Sequence, residues 1–148
     1  MKVMKTQIEK IDKNRIDEQI LAEAGEILKR GGLVAFPTET VYGLGANALD
    51  EKAAMKTYAA KGRPSDNPLI VHIADVEALK EIVEEIPEKA KRVIEKFWPG
   101  PLTLIFNKKE IVPLGTTGGL NTVAVRMPMD GSESPTWFLP HGTGLKPG

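Results

Sequence analysis

The chain has no cysteine, only two histidines and few aromatic residues, with two Trp, two Tyr and four Phe among its 148 positions. Without a thiol there is no disulfide framework, no cysteine nucleophile and no thiolate-rich zinc site. His72 and His141 are too few imidazoles for a protein-built metal centre. Charge of one sign is also missing: Lys plus Arg number 20 and Asp plus Glu number 20. No global field therefore draws the chain onto a polyanion or an anionic membrane, and any anion site must be local. No apolar run approaches the roughly 18 residues of a membrane span. The opening MKVMKTQIEKID mixes charged and apolar side chains too evenly for a signal-peptide core. These absences predict a soluble cytoplasmic protein, and 41% hydrophobic residues suffice for one globular domain.

What is present is a regular alternation of helical and extended patterns. Ile16, Ile20, Ala24, Ile27 and Leu28 recur at helical spacing, and Gly31-Gly32 supplies a carboxyl-terminal stop. Leu33–Phe36 is a short continuous apolar run before Pro37, the pattern of a buried strand. Asp50 is placed to cap a helix through Ala53, Ala54, Met55, Tyr58 and Ala59 that ends before Pro64. Leu69–Ile73 reads as a strand, and Asp75 caps a helix carrying Leu79, Ile82, Val83 and Ile86. Pro87 opens a further helix with Ala90, Val93, Ile94 and Phe97 on one face, ended by Trp98-Pro99-Gly100-Pro101. Leu102–Phe106 and Thr122–Met127 are two more strands. Interleaving of this kind predicts an α/β domain with a mixed sheet covered by helices on at least one face. From Met129 onward the periodicity stops and Gly, Pro and Ser collect, so residues 129–148 read as an irregular tail.

Four segments carry side chains suited to chemistry. Pro37-Thr38-Glu39-Thr40-Val41-Tyr42-Gly43-Leu44-Gly45 combines two hydroxyls, a phenol and two glycines. In extended backbone Thr38 and Thr40 face one side, and the glycines let the chain approach a ligand. The alternative is a strand-to-helix connection whose glycines serve the fold. In Lys61-Gly62-Arg63-Pro64-Ser65-Asp66-Asn67-Pro68 the prolines hold Arg63 and Asn67 out of helical geometry. The stiffened loop can bring Lys61 and Arg63 onto phosphate oxygens; alternatively they complement a helix dipole, worth about 0.3–1 kcal/mol. His72, inside an apolar run, is either a hydrogen-bonded core residue or a ligand contact. Arg126 ends the run Val123-Ala124-Val125, a costly position for a cation unless an anion awaits it. That anion is a ligand carboxylate or an internal Asp or Glu. Neither a Walker-type glycine loop nor a Gly-x-Ser-x-Gly elbow is present.

PTETVYGLGAN, KGRPSDNPLIVHI, WPGPLT and NTVAVRMP, in this order and spacing, resemble the YrdC-like threonylcarbamoyl-AMP synthases over about residues 8–128. The resemblance implies a YrdC-like twisted mixed sheet with flanking helices and an incomplete domain over 1–128, its carboxyl-terminal part missing. It implies a reaction in which L-threonine, bicarbonate or CO2, and ATP form threonylcarbamoyl-AMP and pyrophosphate, toward threonylcarbamoyladenosine in tRNA. Magnesium would arrive with the nucleotide, and downstream threonylcarbamoyl-transfer proteins would take the product. Carried over by position, Thr40, His72 and Arg126 would hold L-threonine, while Lys61, Arg63, Asn67 and Thr122 would hold ATP. No residue is assigned as general base. The family's Ser-x-Asn segment is absent after Pro128, which predicts weak or no synthase activity and suggests truncation or a changed reading frame. Two other classes stand beside this one. A double-stranded RNA-binding or tRNA-binding module is disfavoured by zero net charge. A carbamoyl-adenylate-handling domain of the hydrogenase-maturation type would bring zinc-finger and acylphosphatase-like segments, which this sequence lacks.

Overall fold

The structure is a computed structural model; it describes residues 5–12, 14, 15, 17–37 and 42–128, with the backbone of Thr136–Trp137 and Leu145–Lys146. Its first helix, α1 (Glu18–Lys29), starts where the Asp17 carboxylate accepts the Gln19 N–H, two residues later than periodicity from Ile16 suggests. It stops at Gly31, whose φ of +83° few other residues adopt. The next elements are β1 (Val34–Pro37) and β2 (Tyr42–Gly45), paired antiparallel as a hairpin. Two expectations change here. The Leu33–Phe36 run is not the buried strand expected: Ala35 is exposed, while Phe36, with partly buried Val34 beside it, packs against Leu21 and Leu28 of α1. Nor does the chain pass from β1 directly to a helix, because Tyr42–Gly45 turns back along it. A short apolar run does not by itself reveal whether both of its faces are covered.

Asp50 caps α2 (Glu51–Lys61) by accepting the Lys52 and Ala53 N–H groups, and Gly62 ends it in the left-handed conformation. The buried face of α2 is Ala53, Ala54, Thr57 and Tyr58, while Met55 and Ala59 are exposed. Thr57 lies on that face because its hydroxyl donates to the Ala53 carbonyl at 3.1 Å.

The main sheet has the order β3-β5-β4, with β3 (Ile70–His72) parallel and β4 (Thr103–Asn107) antiparallel to β5 (Thr122–Arg126). This is the expected mixed sheet, and α3 (Val76–Ile82) and α4 (Glu88–Phe97) cover one side of it. Alternation decides which side. Val71, Val123, Val125 and Phe106 point into a core with Leu79, Ile82, Val83, Ile94 and Trp98. Each such side chain contributes about 1.5–3 kcal/mol on burial. Phe97, expected in the core, is 56% exposed; Trp98 fills the place instead and donates its indole N–H to the Leu102 carbonyl. On the opposite side of the sheet Ile70, Ala124 and Ile105 align in one row, with Ile70 49% and Ile105 69% exposed.

Within the stretch expected to be irregular, β6 (Thr136–Trp137) and β7 (Leu145–Lys146) pair antiparallel, and the remainder of 129–148 lies outside the described residues. No helix among the described residues is long and apolar enough to cross a membrane.

Candidate functional site

The less covered face of the main sheet carries a polar row beside the Ile70–Ala124–Ile105 row. His72 on β3 is the register partner of Arg126 on β5, and Arg126 is in turn the partner of Thr103 on β4. Partners side by side on one face have Cβ atoms about 4.5–5.5 Å apart, so three strands deliver an imidazole, a guanidinium and a hydroxyl to one line. Thr103 was not among the expected site residues. The WPGPLT segment delivers it: the Gly100 N–H donates to the Met127 carbonyl at 2.9 Å, which ties the start of β4 to the end of β5.

Burial, reinforced by the adjacent Arg126 cation, lowers the His72 pKa from 6.5 to about 4. The imidazole is therefore neutral at pH 7, with one N–H to donate and one nitrogen to accept. Arg126 is only partly buried, yet its Nε is enclosed and has no hydrogen-bond partner among the described residues. An enclosed guanidinium nitrogen without an acceptor costs desolvation energy that a bound carboxylate would offset. The core-histidine and internal-salt-bridge alternatives differ in outcome. His72 does hold a polar or electrostatic interaction, whereas no Arg126 ion pair to Asp or Glu occurs among the described residues.

The residues expected at ATP fall at the other end of the same strands. Thr122 shares a face with Arg126 because both lie at even spacing along β5. At a strand rise of 3.2–3.4 Å per residue the two are roughly 13 Å apart. Since β3 and β5 are parallel, the loop entering β3 lies at the Thr122 end. That loop contains Arg63 and Asn67, and Lys61 closes α2 just before it; all three are exposed. Its turn is held by the Arg63 N–H on the Tyr58 carbonyl at 3.0 Å and the Asn67 N–H on the Pro64 carbonyl at 3.2 Å. The arrangement thus places Lys61 and Arg63 at one end of the strands and the His72–Arg126–Thr103 row at the other, with the sheet face between them.

Thr40 lies outside the described residues; the segment that contains it is flanked by Pro37 and Tyr42, which are register partners in the hairpin. Gly43 stands opposite Phe36, and a Cβ there would come within 2.8 Å of the Phe36 ring. That close approach is a fold-serving reason for a glycine, independent of any ligand. No three His, Asp or Glu side chains gather at a metal-holding distance among the described residues. A cleft of about 370 Å³ lined by Lys80, Val83, Ile86, Lys109 and neighbours shares no lining residue with this row.

Sequence reasoning singled out no site role for Tyr58, Thr116 or Thr117, whose hydroxyls hold the 113–120 segment through the Gly115, Ala48 and Leu120 carbonyls. Thr116 and Thr117 are buried polar residues, and their signal in the sequence is the Thr-Thr-Gly-Gly run one residue before Asn121-Thr122.

Comparison with known proteins bears on the family and the fold. The Sua5/YciO/YrdC family model, described as telomere recombination, matches residues 26–132. A threonylcarbamoyl-AMP synthase of Pyrococcus abyssi is 59% identical over 116 residues, covering 78% of this chain and 34% of the relative. That of Bacillus subtilis is 50% identical over 129 residues, covering 86% of this chain and 37% of the relative. The crystal structure of P. abyssi Sua5 complexed with L-threonine superposes with a TM-score of 0.73 at 60% identity, over 77% of this chain and 34% of that one. This chain thus spans about a third of the length of these relatives. With the matching family model, the shared mixed sheet and this level of identity, the chain belongs to the Sua5/YciO/YrdC family.

Proposed function

We propose that this chain is the part of a threonylcarbamoyl-AMP synthase that holds L-threonine against ATP. The observation that carries the reading is the enclosed, unpartnered Nε of Arg126 beside a neutral His72. A guanidinium with an unused N–H takes a carboxylate in a geometry that Lys does not reproduce. L-Threonine has that carboxylate, and the P. abyssi relative at 60% identity is complexed with it.

In the proposed reaction the threonine amine, in its neutral form, attacks CO2 derived from bicarbonate and gives a carbamate. A carbamate oxygen then attacks the α-phosphorus of ATP, and pyrophosphate leaves as the bond to the β-phosphate oxygen breaks. Arg126 fixes the amino-acid carboxylate, and His72 and Thr40 complete the contacts to threonine. Lys61 and Arg63 neutralise phosphate charge, with Asn67 and Thr122 placing the nucleotide. Rate enhancement would come from positioning and electrostatic complementarity, without a protein nucleophile. Magnesium would enter with the nucleotide, as its companion on the phosphates. Product would pass to threonylcarbamoyl-transfer proteins acting on tRNA in the cytoplasm.

Calorimetry with L-threonine and with ATP, each alone, tests the reading. Saturable binding of both supports it. Failure to bind threonine, or binding that survives Arg126→Ala unchanged, would sink it.

A further inference from the structure

The loop at residues 113–120 has no part in the reaction as described, yet its hydrogen bonds reach α2, the segment before α2 and the start of β3. The Tyr58 hydroxyl, from the last turns of α2, donates to the Gly115 carbonyl at 3.0 Å. The buried Thr116 hydroxyl donates to the Ala48 carbonyl at 2.6 Å, ahead of the same helix. The Thr116 carbonyl accepts the Leu69 N–H at 3.0 Å, immediately before β3. The Thr117 hydroxyl closes the loop on itself through the Leu120 carbonyl at 2.6 Å.

Gly118 makes the closest approach. Its φ is +64°, and a Cβ there would lie 2.8 Å from the Asp66 carbonyl oxygen and 3.0 Å from the Pro68 nitrogen. The backbone of the 113–120 loop is thus pressed against the backbone of the Arg63–Asn67 loop, with no side chain between them. Arg63 and Asp66 are also near enough to Tyr58 to act on its phenol electrostatically. Two residues beyond the loop β5 begins at Thr122. One short segment therefore joins the end of α2, the cationic loop and the start of β5.

We infer that Tyr58, Thr116 and Gly118 are positioning residues for the triphosphate: by locking the 113–120 loop against the Arg63–Asn67 loop, they set the spacing between Arg63 and Thr122. None of the three need touch the nucleotide. This rests on the nucleotide role proposed for Lys61, Arg63, Asn67 and Thr122. The brace lies at the end of β3 and β5 away from His72 and Arg126, so its loss should weaken ATP and spare L-threonine. A residue needed only for folding would produce no such division.

The test is calorimetry on the 148-residue chain with ATP and, separately, with L-threonine, for the unaltered protein and for Tyr58→Phe, Thr116→Val and Thr116→Ser. Tyr58→Phe and Thr116→Val should each weaken ATP about tenfold and leave threonine within about twofold. Thr116→Ser, which keeps the hydroxyl, should recover ATP affinity to within about threefold. If Thr116→Val does not fold, Tyr58→Phe, which removes one oxygen, decides the question. Unchanged ATP affinity in the variants, or equal losses for both ligands, would overturn the inference while leaving the nucleotide assignment standing. Absence of ATP binding by the unaltered chain would overturn the assignment itself and the inference with it.

Discussion

His72 and Arg126 are register partners across the parallel β3–β5 pair, so a neutral imidazole and a guanidinium with an enclosed, unpartnered Nε stand side by side on one sheet face. Two residues that are 54 positions apart in the chain become neighbours only because β5 inserts between β3 and β4.

Arg126→Ala should weaken L-threonine binding by about 1.5–3 kcal/mol, the usual worth of a hydrogen bond to a charged group, and leave ATP within about threefold. Arg126→Lys should recover only part of the loss, because an ammonium lacks the planar fork. Full recovery by Lys would argue against a bidentate clamp. Titration calorimetry with each ligand reads both quantities.

His72 has a folded pKa near 4 against an ordinary value of 6.5, so folding disfavours its protonation. Above pH 6.5 neither state carries the proton and this contribution to stability is fully present. As pH falls toward 4 the unfolded chain binds the proton first, and the contribution is progressively lost. Urea midpoints should therefore fall between pH 7 and pH 4.5 by more in the parent than in His72→Asn, a comparison that removes the background of carboxylates. In Arg126→Gln the imidazole pKa, followed by NMR, should rise, since one cause of its depression is gone. An imidazole titrating near 6.5 in the parent would contradict the geometry.

Phe106 and Ile105 are adjacent in β4 but face opposite ways, 5% and 69% exposed respectively. Phe106→Ala should cost about 3–5 kcal/mol by opening a cavity in the α3–α4 core. Ile105→Ala should fall within about 1 kcal/mol, because it removes little buried area. Chemical denaturation of the two variants separates the faces directly; similar losses would mean that the Ile105 side is covered in solution.

A Cβ at Gly100 would fall on the Phe97 carbonyl oxygen, and the Gly100 N–H holds the Met127 carbonyl. Gly100→Ala should therefore destabilise the chain by about 1–3 kcal/mol through backbone displacement. Because the segment delivers Thr103 beside Arg126, threonine affinity should drop further than ATP affinity in the fraction that remains folded. Thermal unfolding followed by calorimetry checks both parts.

Local chemistry made most elements legible in the amino-acid order. Asp50 and Asp75 marked the starts of α2 and α3 because a carboxylate satisfies free N–H groups wherever a helix begins. The strands β3, β4 and β5 emerged within one residue at every boundary, since short apolar runs punctuated by Pro, Gly and Asp have few other conformations. The same order could not say that Leu33–Phe36 belongs to a half-exposed hairpin, or that Trp98 rather than Phe97 enters the core. Burial depends on which partner covers a face, and that partner is distant in sequence. Each loop shows its own polar side chains in the sequence but not which other loop they face. Tertiary structure alone decided that His72, Arg126 and Thr103 share a row, and that Tyr58 and Thr116 hold the 113–120 loop. Strand order and register, not residue type, set those distances: moving β5 by one residue would turn Arg126 to the other face of the sheet.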